Sequence, residues 1–211
     1  MTRRFDPTPI PEAVLDRVLS ALAHLPSAGF AQGIDALVLT TPAARDRFWA
    51  AAADPAWRAR ATTASGVAGR SGGAGASGAG AGVAGILAAP VVVVPVGDPD
   101  AYVTRYAEAD KAASDLAGRP PGEWPVPYWL VDGAFAVLTL LLAAEAEGLG
   151  GLFFRLHAPA DEVLAALGAP GGRTCIGAVA LGRRASAEAP SGSPRRRPRR
   201  GLDEVVHREG W

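Results

Sequence analysis

Two basic clusters are the residues of this 211-residue chain whose type and spacing best suit binding chemistry. Arg3 and Arg4 stand near the start, and an arginine-rich run occupies residues 195–200 near the end. The planar guanidinium group of arginine donates paired hydrogen bonds that match the geometry of a phosphate. One interpretation is therefore that both chain ends converge on one anionic group. The alternatives are a solvated tail and a weak nucleic-acid patch.

Side chains that could carry acid–base, nucleophilic or metal chemistry are sparse. Ser27 lies in Pro-Ser-Ala-Gly and not in the Gly-x-Ser-x-Gly turn of a hydrolase. Cys175 lies in an apolar strand pattern typical of an inert core thiol. Asp132 and Glu145 are too far apart on one predicted helix to form a carboxylate pair. The histidines lack a metal-binding motif and stand far apart, at His24, His157 and His207. This pattern points to chemistry that a cofactor carries.

Composition limits the class of protein further. The 21 Lys and Arg balance the 21 Asp and Glu, which argues against a general nucleic-acid binder. With 49% hydrophobic and 20% charged residues, the chain can build a real core. The single Cys excludes an intrachain disulfide. No secretory signal follows the first arginines, and the uncharged apolar stretch 133–144 is shorter than the roughly 20 residues of a membrane span. We therefore expect a cytoplasmic protein with no nucleic-acid or membrane partner.

Periodicity predicts the elements that must position these residues. Apolar residues at helical spacing predict a first helix between Pro11 and Pro26, and Thr41-Pro42 predicts an N-cap and first turn of a helix through about Ala53. Further helices are expected within 99–117 and at 159–167, and strands at 36–40, 91–94, 150–156 and 175–181. The β-branched run Val91–Val94 indicates a strand buried on both faces. Irregular alternation of helices and strands favours an α+β protein with a small central sheet.

The central helix is predicted at 130–147, with Asp132 capping or charge-complementing its start and Gly148 following its end. Its large apolar side chains surround the whole circumference, and a helix of this kind must be buried on all sides. Because a small sheet cannot cover such a helix alone, we expect it to line a subunit interface.

Two segments fall outside this pattern. Residues 64–85 contain nine Gly, seven Ala and three Ser among 22 residues, which predicts a flexible insertion. A glycine-rich phosphate loop is the alternative, but the segment has no Lys and no flanking strand and helix. Residues 184–211 form a basic tail. The chain is thus predicted to be a single domain, 1–211, with one insertion and one tail.

Five short motifs, in order, resemble the flavin-dependent nitroreductase family over nearly the whole chain apart from the insertion. They are Arg3-Arg4-Phe5-Asp6 with Pro9-Ile10-Pro11, Pro26-Ser27-Ala28-Gly29, Gly148-Leu149-Gly150 after the apolar helix, the strand ending in Leu181-Gly182, and residues 199–207 (RRGLDEVVH). The resemblance implies an α+β nitroreductase-like fold with a small central mixed or antiparallel sheet surrounded by helices. It also implies a homodimer that binds one FMN in each of two interfacial sites.

The resemblance further implies which residues bind FMN. Arg3, with Arg4 beside it, matches the N-terminal phosphate motif, and Arg197 and Arg199 match the C-terminal basic pair. Ser27 and Ala28 match the loop beside the flavin ring; Phe30 stands where many members have Asn, and Gln32 follows. Gly151 to Phe154 match the strand at the reactive edge of the ring, which gives Gly151, Phe153 and Phe154 as candidates. No catalytic side chain and no metal are implied.

Three positions depart from the family pattern. Met1 occupies the usual serine position of the phosphate motif, and the arginine before it is missing. Phe30 removes a side-chain hydrogen bond to the flavin. Arg155 replaces an acidic residue that some members place near the flavin edge.

The expected function is an FMN-dependent oxidoreductase that passes a hydride from NAD(P)H through the flavin to a small electrophilic acceptor, nitroaromatic or quinone-like. One alternative is a protein that binds and sequesters flavin without turnover. The other is a relative on the same fold that fragments flavin, dehalogenates a ligand or uses a deazaflavin.

Overall fold

The computed structural model describes residues 1–59, 84–185 and 197–210, which form a four-stranded antiparallel sheet with helices on both faces. The strands are β1 (Ile34–Leu39), β2 (Val91–Gly97), β3 (Gly150–Phe154) and β4 (Ala178–Gly182). Their spatial order is β1-β2-β4-β3, and every neighbouring pair is antiparallel. The predicted α+β class is confirmed, and the sheet is antiparallel throughout the described strands.

Besides two short helical segments at 55–59 and 84–87, six helices accompany the sheet in the described part of the chain. They are α1 (Glu12–Ser20), α2 (Pro42–Ala52), α3 (Pro99–Tyr106), α4 (Tyr128–Ala146), α5 (Ala160–Ala166) and α6 (Leu202–Val205). The predicted cap of α2 is present, because Thr41 Oγ1 accepts a hydrogen bond from the Ala44 N–H at 3.2 Å. One short 3₁₀ turn, Ala21–His24, follows α1 directly, and a second one lies at Ala28–Phe30.

Strand β2 forms the centre of the core, and all seven of its residues are buried. Because side chains alternate along a strand, Val91 and Val93 pack toward α1 and α4, whereas Val92 and Val94 pack toward α2 and α5. The prediction that this run is buried on both faces is confirmed.

Several predicted boundaries were wrong by a few residues. β1 begins at Ile34 and ends before residue 40, and β3 ends at Phe154 rather than at 156. β4 begins only at Ala178, because Gly177 has φ +148° and interrupts the extended backbone that the apolar pattern predicted from Cys175. The last two residues of the predicted insertion 64–85 belong to a short helical segment at 84–87. Residues 64–83 of the insertion lie outside the described residues.

Helix α4 differs from its prediction in two respects. It begins at Tyr128, so Asp132 lies in its second turn and does not cap it; the Asp132 side chain is 2% exposed and binds neighbouring elements. One face packs on the sheet and on α1, but Phe135, Leu138 and Leu142 remain 42%, 55% and 62% exposed. Burial on all sides is therefore not achieved within one chain.

By length and composition alone, α4 could also cross a membrane, with 19 residues and a mean hydropathy of 1.7. The core helix of a globular domain meets the same criteria, and α4 packs against β2, β3 and α1.

Candidate functional site

The N-terminal segment lies along the edge strand β3 and beside the end of β4. The Thr2 N–H donates to the Gly151 carbonyl at 3.0 Å, and the Asp6 N–H donates to the Arg183 carbonyl at 3.0 Å. The Ala185 N–H donates to the Arg4 carbonyl at 3.0 Å. The structure thus brings the segment that carries Arg3 and Arg4 next to Gly151, and the C-terminal tail starts beside Arg4.

Glycines allow these segments to approach closely. A Cβ atom at Gly150 would lie 2.4 Å from Thr2 Oγ1, and one at Gly151 would lie 2.6 Å from Leu141 Cδ2. Gly148, with φ +70°, ends α4 in a left-handed conformation that glycine adopts readily. The Gly148-Leu149-Gly150 motif therefore has a structural role, since it ends the helix and leaves room for the N-terminal segment.

The two phenylalanines of β3 point to opposite sides of the sheet. Phe153 packs with the core between the sheet and α4, whereas Phe154 stacks on Trp49 of α2, with ring centroids 5.2 Å apart and planes at 19°. Phe153 and Phe154 therefore cannot both face one ligand from the same side.

Beyond Phe154, β3 leads to an aromatic cavity of about 170 Å³. Its lining includes Trp49, Trp57, Phe154, Arg155 and His157. The sequence analysis missed Trp49, Trp57 and His157 as site candidates. A usable signal was present, because Trp49 and Trp57 fall close together in a chain with 7% aromatic residues.

The Ser27–Gln32 loop has an unusual backbone. Gly29, Phe30 and Gln32 have φ values of +62°, +59° and +51°. Left-handed conformations are uncommon for residues other than glycine and persist only where surrounding contacts hold them. Ser27 Oγ accepts a hydrogen bond from the Gln32 N–H at 3.0 Å, and the Phe30 side chain is 70% exposed. The loop thus presents Phe30 outward.

A buried polar network holds this loop from behind. Asp132 Oδ2 accepts hydrogen bonds from the Ala28 N–H at 3.0 Å and from the Tyr102 hydroxyl at 2.7 Å. Arg105 Nε donates to the Gly29 carbonyl at 2.8 Å while the same guanidinium pairs with Asp110. Burial raises the pKa of the Tyr102 phenol, and the hydrogen bond to Asp132 raises it further. The phenol therefore stays a hydrogen-bond donor across the physiological range.

Within one chain, the candidate residues form two groups at opposite ends of α4. Ala28 is bound to Asp132 near the start of the helix, whereas Gly150 and Thr2 follow its end at Ala146. At 1.5 Å per residue, the 14 residues from Asp132 to Ala146 span about 21 Å. The structure therefore brings Arg3, Arg4 and the start of β3 together, but keeps Ser27, Ala28, Phe30 and Gln32 away from them.

The remaining candidates add little to either group. Arg197 and Arg199 lie exposed at the start of the described segment 197–210, so their contact with a phosphate stays a prediction. Cys175 is partly buried just before β4, and burial raises the pKa of its thiol, as expected of an unreactive cysteine. No group of His, Cys, Asp or Glu within the described ranges is arranged to hold a metal ion.

The comparisons with known proteins assign the family. The Nitroreductase family model matches residues 1–183, and the chain belongs to this family. No curated protein matches the chain in sequence.

Solved structures with low sequence identity share the fold. A nitroreductase family protein from Clostridium difficile 630 is 16% identical with a TM-score of 0.62, covering 100% of this chain and 93% of that one. An FMN-dependent nitroreductase from Clostridium difficile R20291 is 14% identical with a TM-score of 0.59, covering 100% and 94%. The NADPH:FMN oxidoreductase from Vibrio harveyi is 20% identical with a TM-score of 0.62, covering 100% and 73%. This likeness supports the fold, and the family match supports a flavin oxidoreductase.

Proposed function

We propose that this member of the family is an FMN-dependent oxidoreductase that passes a hydride from NADH or NADPH to a small electrophilic acceptor, nitroaromatic or quinone-like. The supporting observation is the contact between the N-terminal segment and β3 through the Thr2–Gly151 hydrogen bond. In this proposal, the contact keeps the arginines of the phosphate motif beside the strand that matches the flavin edge. We place the reaction in the cytoplasm.

The groups around the N-terminal segment fit a phosphate. Arg3 and Arg4 are both cationic, and arginine donates several hydrogen bonds in a plane. The tail that carries Arg197 and Arg199 leaves β4 beside Arg4. In this proposal, the four arginines bind the phosphate of FMN, and Gly151, Phe153 and Phe154 lie on the strand that supports its ring.

A second copy of the chain completes each site in this proposal. The Ser27–Gln32 loop lies about 21 Å along α4 from the start of β3, so it serves the flavin of a partner. The exposed Phe135, Leu138 and Leu142 of α4 form the apolar surface on which two copies associate. The active unit is then a homodimer with two equivalent sites, as most soluble oligomers are symmetric.

The protein's task in this reaction is to bind and orient. Bound FMN would supply hydride acceptance from the nicotinamide and hydride donation to the acceptor. Arginine side chains and backbone N–H groups near the ring would stabilise negative charge on the reduced cofactor. The loop would hold Ser27, Ala28 and Phe30 against the ring, and contact geometry of this kind lowers a barrier by several kcal/mol. No protein acid or base is required.

The test is an anaerobic titration of the purified protein supplied with FMN. We expect flavin absorbance to co-purify or to be retained after FMN is added and to bleach on addition of NADH or NADPH. The preferred donor is the one that bleaches the absorbance at the lower concentration. Retained absorbance that neither donor bleaches would contradict the proposed reaction.

That result would favour the second candidate function, flavin binding without turnover. The observation behind this candidate is Phe30, whose exposed ring replaces a residue able to hydrogen-bond the flavin.

A further inference from the structure

The Ser27–Gln32 loop combines an unfavourable backbone conformation with an exposed aromatic ring. Phe30 has φ +59°, and a positive φ is a genuine outlier for a bulky residue. Such a conformation persists only where surrounding groups hold it. The Phe30 side chain is 70% exposed, so burial of its ring within one chain does not offset the cost. The contacts that hold this conformation must therefore act on the backbone of the loop.

Four N–H groups of the loop are hydrogen-bonded, those of Ala28, Phe30, Ala31 and Gln32. The first donates to Asp132 of α4, and the other three donate to oxygen atoms of the loop itself. Because the loop bonds depend on one another, opening of the loop would release all four N–H groups together. Exchange of their hydrogens with solvent therefore measures how firmly the loop is held.

Helix α3 contacts the loop from its inner side. Arg105 Nε donates to the Gly29 carbonyl at 2.8 Å, and the Arg105 side chain is only 19% exposed. The Tyr106 ring lies so close to Gly29 that a Cβ atom there would be 2.6 Å from Tyr106 Cε2. The Tyr102 hydroxyl orients the Asp132 carboxylate at 2.7 Å. Positions 102, 105 and 106 share one face of the helix, which thus serves to hold the loop.

We infer that Arg105 and Asp132 are positioning residues that hold the left-handed backbone of the loop and so fix the direction of the Phe30 ring. They bind the backbone just before Phe30, at the Ala28 N–H and the Gly29 carbonyl. The loop is thereby set before any ligand arrives, which reduces the ordering cost of binding. Only the final step, that the Phe30 ring meets a flavin, rests on the proposed function.

The first test is hydrogen exchange of the full-length protein without ligand. R105M removes the donor to Gly29, and we expect the loop amides to exchange about tenfold faster, the effect of one lost charge-assisted hydrogen bond. R45M is the matched control. Arg45 also donates to a backbone carbonyl, that of Pro90 at 2.7 Å, in another part of the fold. R45M should leave exchange of the loop unchanged.

A second pair of variants tests Asp132 independently, so the inference can be decided even if R105M does not fold. D132A removes the acceptor of the Ala28 N–H and should accelerate exchange of the loop. D132N keeps an oxygen that can accept from both Ala28 and Tyr102, so it should restore exchange close to that of the wild type.

The amides of β2 are the internal reference for both pairs, because this strand is buried throughout. Acceleration confined to the loop supports a positioning role. Equal acceleration in β2 would show that these side chains stabilise the whole domain and would overturn the inference. Loop exchange that stays at the wild-type rate in R105M and D132A would overturn it as well.

A double-mutant cycle tests the direction of the Phe30 ring. The probe is riboflavin, which lacks the phosphate, and quenching of its fluorescence gives the affinity. We expect F30A to weaken riboflavin binding about tenfold in the wild-type background, because an aromatic contact is lost. In the R105M background the loss should be about twofold or less, because the ring is no longer directed. Equal losses in both backgrounds would overturn the role of Arg105 in positioning the ring.

Failure of the proposed function gives different results. A riboflavin affinity that F30A leaves unchanged in the wild type would contradict the ring contact of the proposed function, while hydrogen exchange still decides whether Arg105 and Asp132 position the loop. Bound flavin that NAD(P)H does not bleach would overturn the proposed reaction alone.

Discussion

At the scale of single residues, the buried side chain of Asp132 is a polar group that needs hydrogen-bond partners inside the protein. An ionised carboxylate inside a protein must be hydrogen-bonded, because removing it from water is costly. The Tyr102 hydroxyl and the Ala28 N–H supply two of its hydrogen bonds. Asp132 thus couples α4 to both α3 and the Ser27–Gln32 loop.

Replacing Tyr102 with Phe should therefore destabilise the protein. Loss of a hydrogen bond to a charged group is expected to cost about 1.5–3 kcal/mol of unfolding free energy at neutral pH. Urea unfolding measures this difference. Tyr128→Phe is the control, because the Tyr128 hydroxyl donates no hydrogen bond within the described part of the chain, and this variant should lose little.

The stability difference between the wild type and Tyr102→Phe should also depend on pH. The pKa of Tyr102 is raised in the folded protein above its ordinary value of 10.0, by burial and by Asp132. The stability that Tyr102 contributes is then fully present below about pH 10 and is lost as pH rises further, because the unfolded phenol ionises first. The difference between wild type and Tyr102→Phe should shrink above pH 10; a constant difference would contradict the raised pKa.

Arg199 offers a second test at the residue scale. If it binds the phosphate, Arg199→Ala should weaken FMN binding by about ten- to a hundredfold, since a charge-assisted hydrogen bond contributes roughly 1.5–3 kcal/mol. Riboflavin lacks the phosphate and should bind both proteins nearly equally. Fluorescence quenching measures both ligands. An unchanged FMN affinity would remove Arg199 from the site, and an equal loss for both ligands would indicate misfolding.

At the scale of elements, the position of the N-terminal segment depends on the two glycines that begin β3, Gly150 and Gly151. Gly150 faces the buried Thr2 side chain, and Thr2 is bound through its N–H to Gly151. The position of Arg3 and Arg4 therefore follows from the packing of Thr2 on this glycine.

Gly150→Ala should displace the N-terminal segment and weaken FMN more than riboflavin, by about tenfold, because the arginines move away from the phosphate. A Cβ atom 2.4 Å from Thr2 Oγ1 cannot be accommodated without movement. Gly122→Ala is the matched control, since a Cβ there meets nothing within 4 Å. Equal FMN affinities of the two variants would show that the segment does not carry the phosphate site.

At the scale of the whole molecule, one chain leaves a large apolar surface exposed. The stripe Phe135, Leu138 and Leu142 runs along α4, and Leu202, Val205 and Val206 of the C-terminal segment are also exposed. Contiguous apolar patches on soluble proteins mark interaction sites. In the function proposed above, a second copy of the chain is the partner that brings the two separated groups of candidate residues together.

Leu138→Glu should therefore convert a homodimer into a monomer. A charge buried without a partner in the interface costs at least about 3 kcal/mol, which weakens dimerisation by about a hundredfold. Light scattering at micromolar concentration gives the mass of each species. Val126→Glu, at an exposed apolar residue outside α4, should leave the dimer intact. A monomeric wild-type protein would contradict both the dimer and the shared site.

Much of the fold could be predicted from local sequence, whereas the roles of the candidate site residues stay predictions. The Thr41-Pro42 cap, the β-branched run in β2 and the apolar repeat of α1 are signals within a few residues, and all three are confirmed. The boundary errors arose where a distant contact decides the backbone. Gly177 is an example, because a Cβ atom there would lie 2.3 Å from the Phe154 carbonyl oxygen.

What the sequence determined by itself was the family, the α+β class and the residue types able to bind a phosphate, because these depend on periodicity and short motifs. Only the tertiary structure decided that Asp132 binds the loop instead of capping α4, and that the buried indole N–H of Trp49 has no hydrogen-bond partner among the described residues. It also decided that the candidate residues form two separate groups within one chain. Each of these outcomes depends on contacts between residues far apart in sequence, and spacing along the chain carries no information about them.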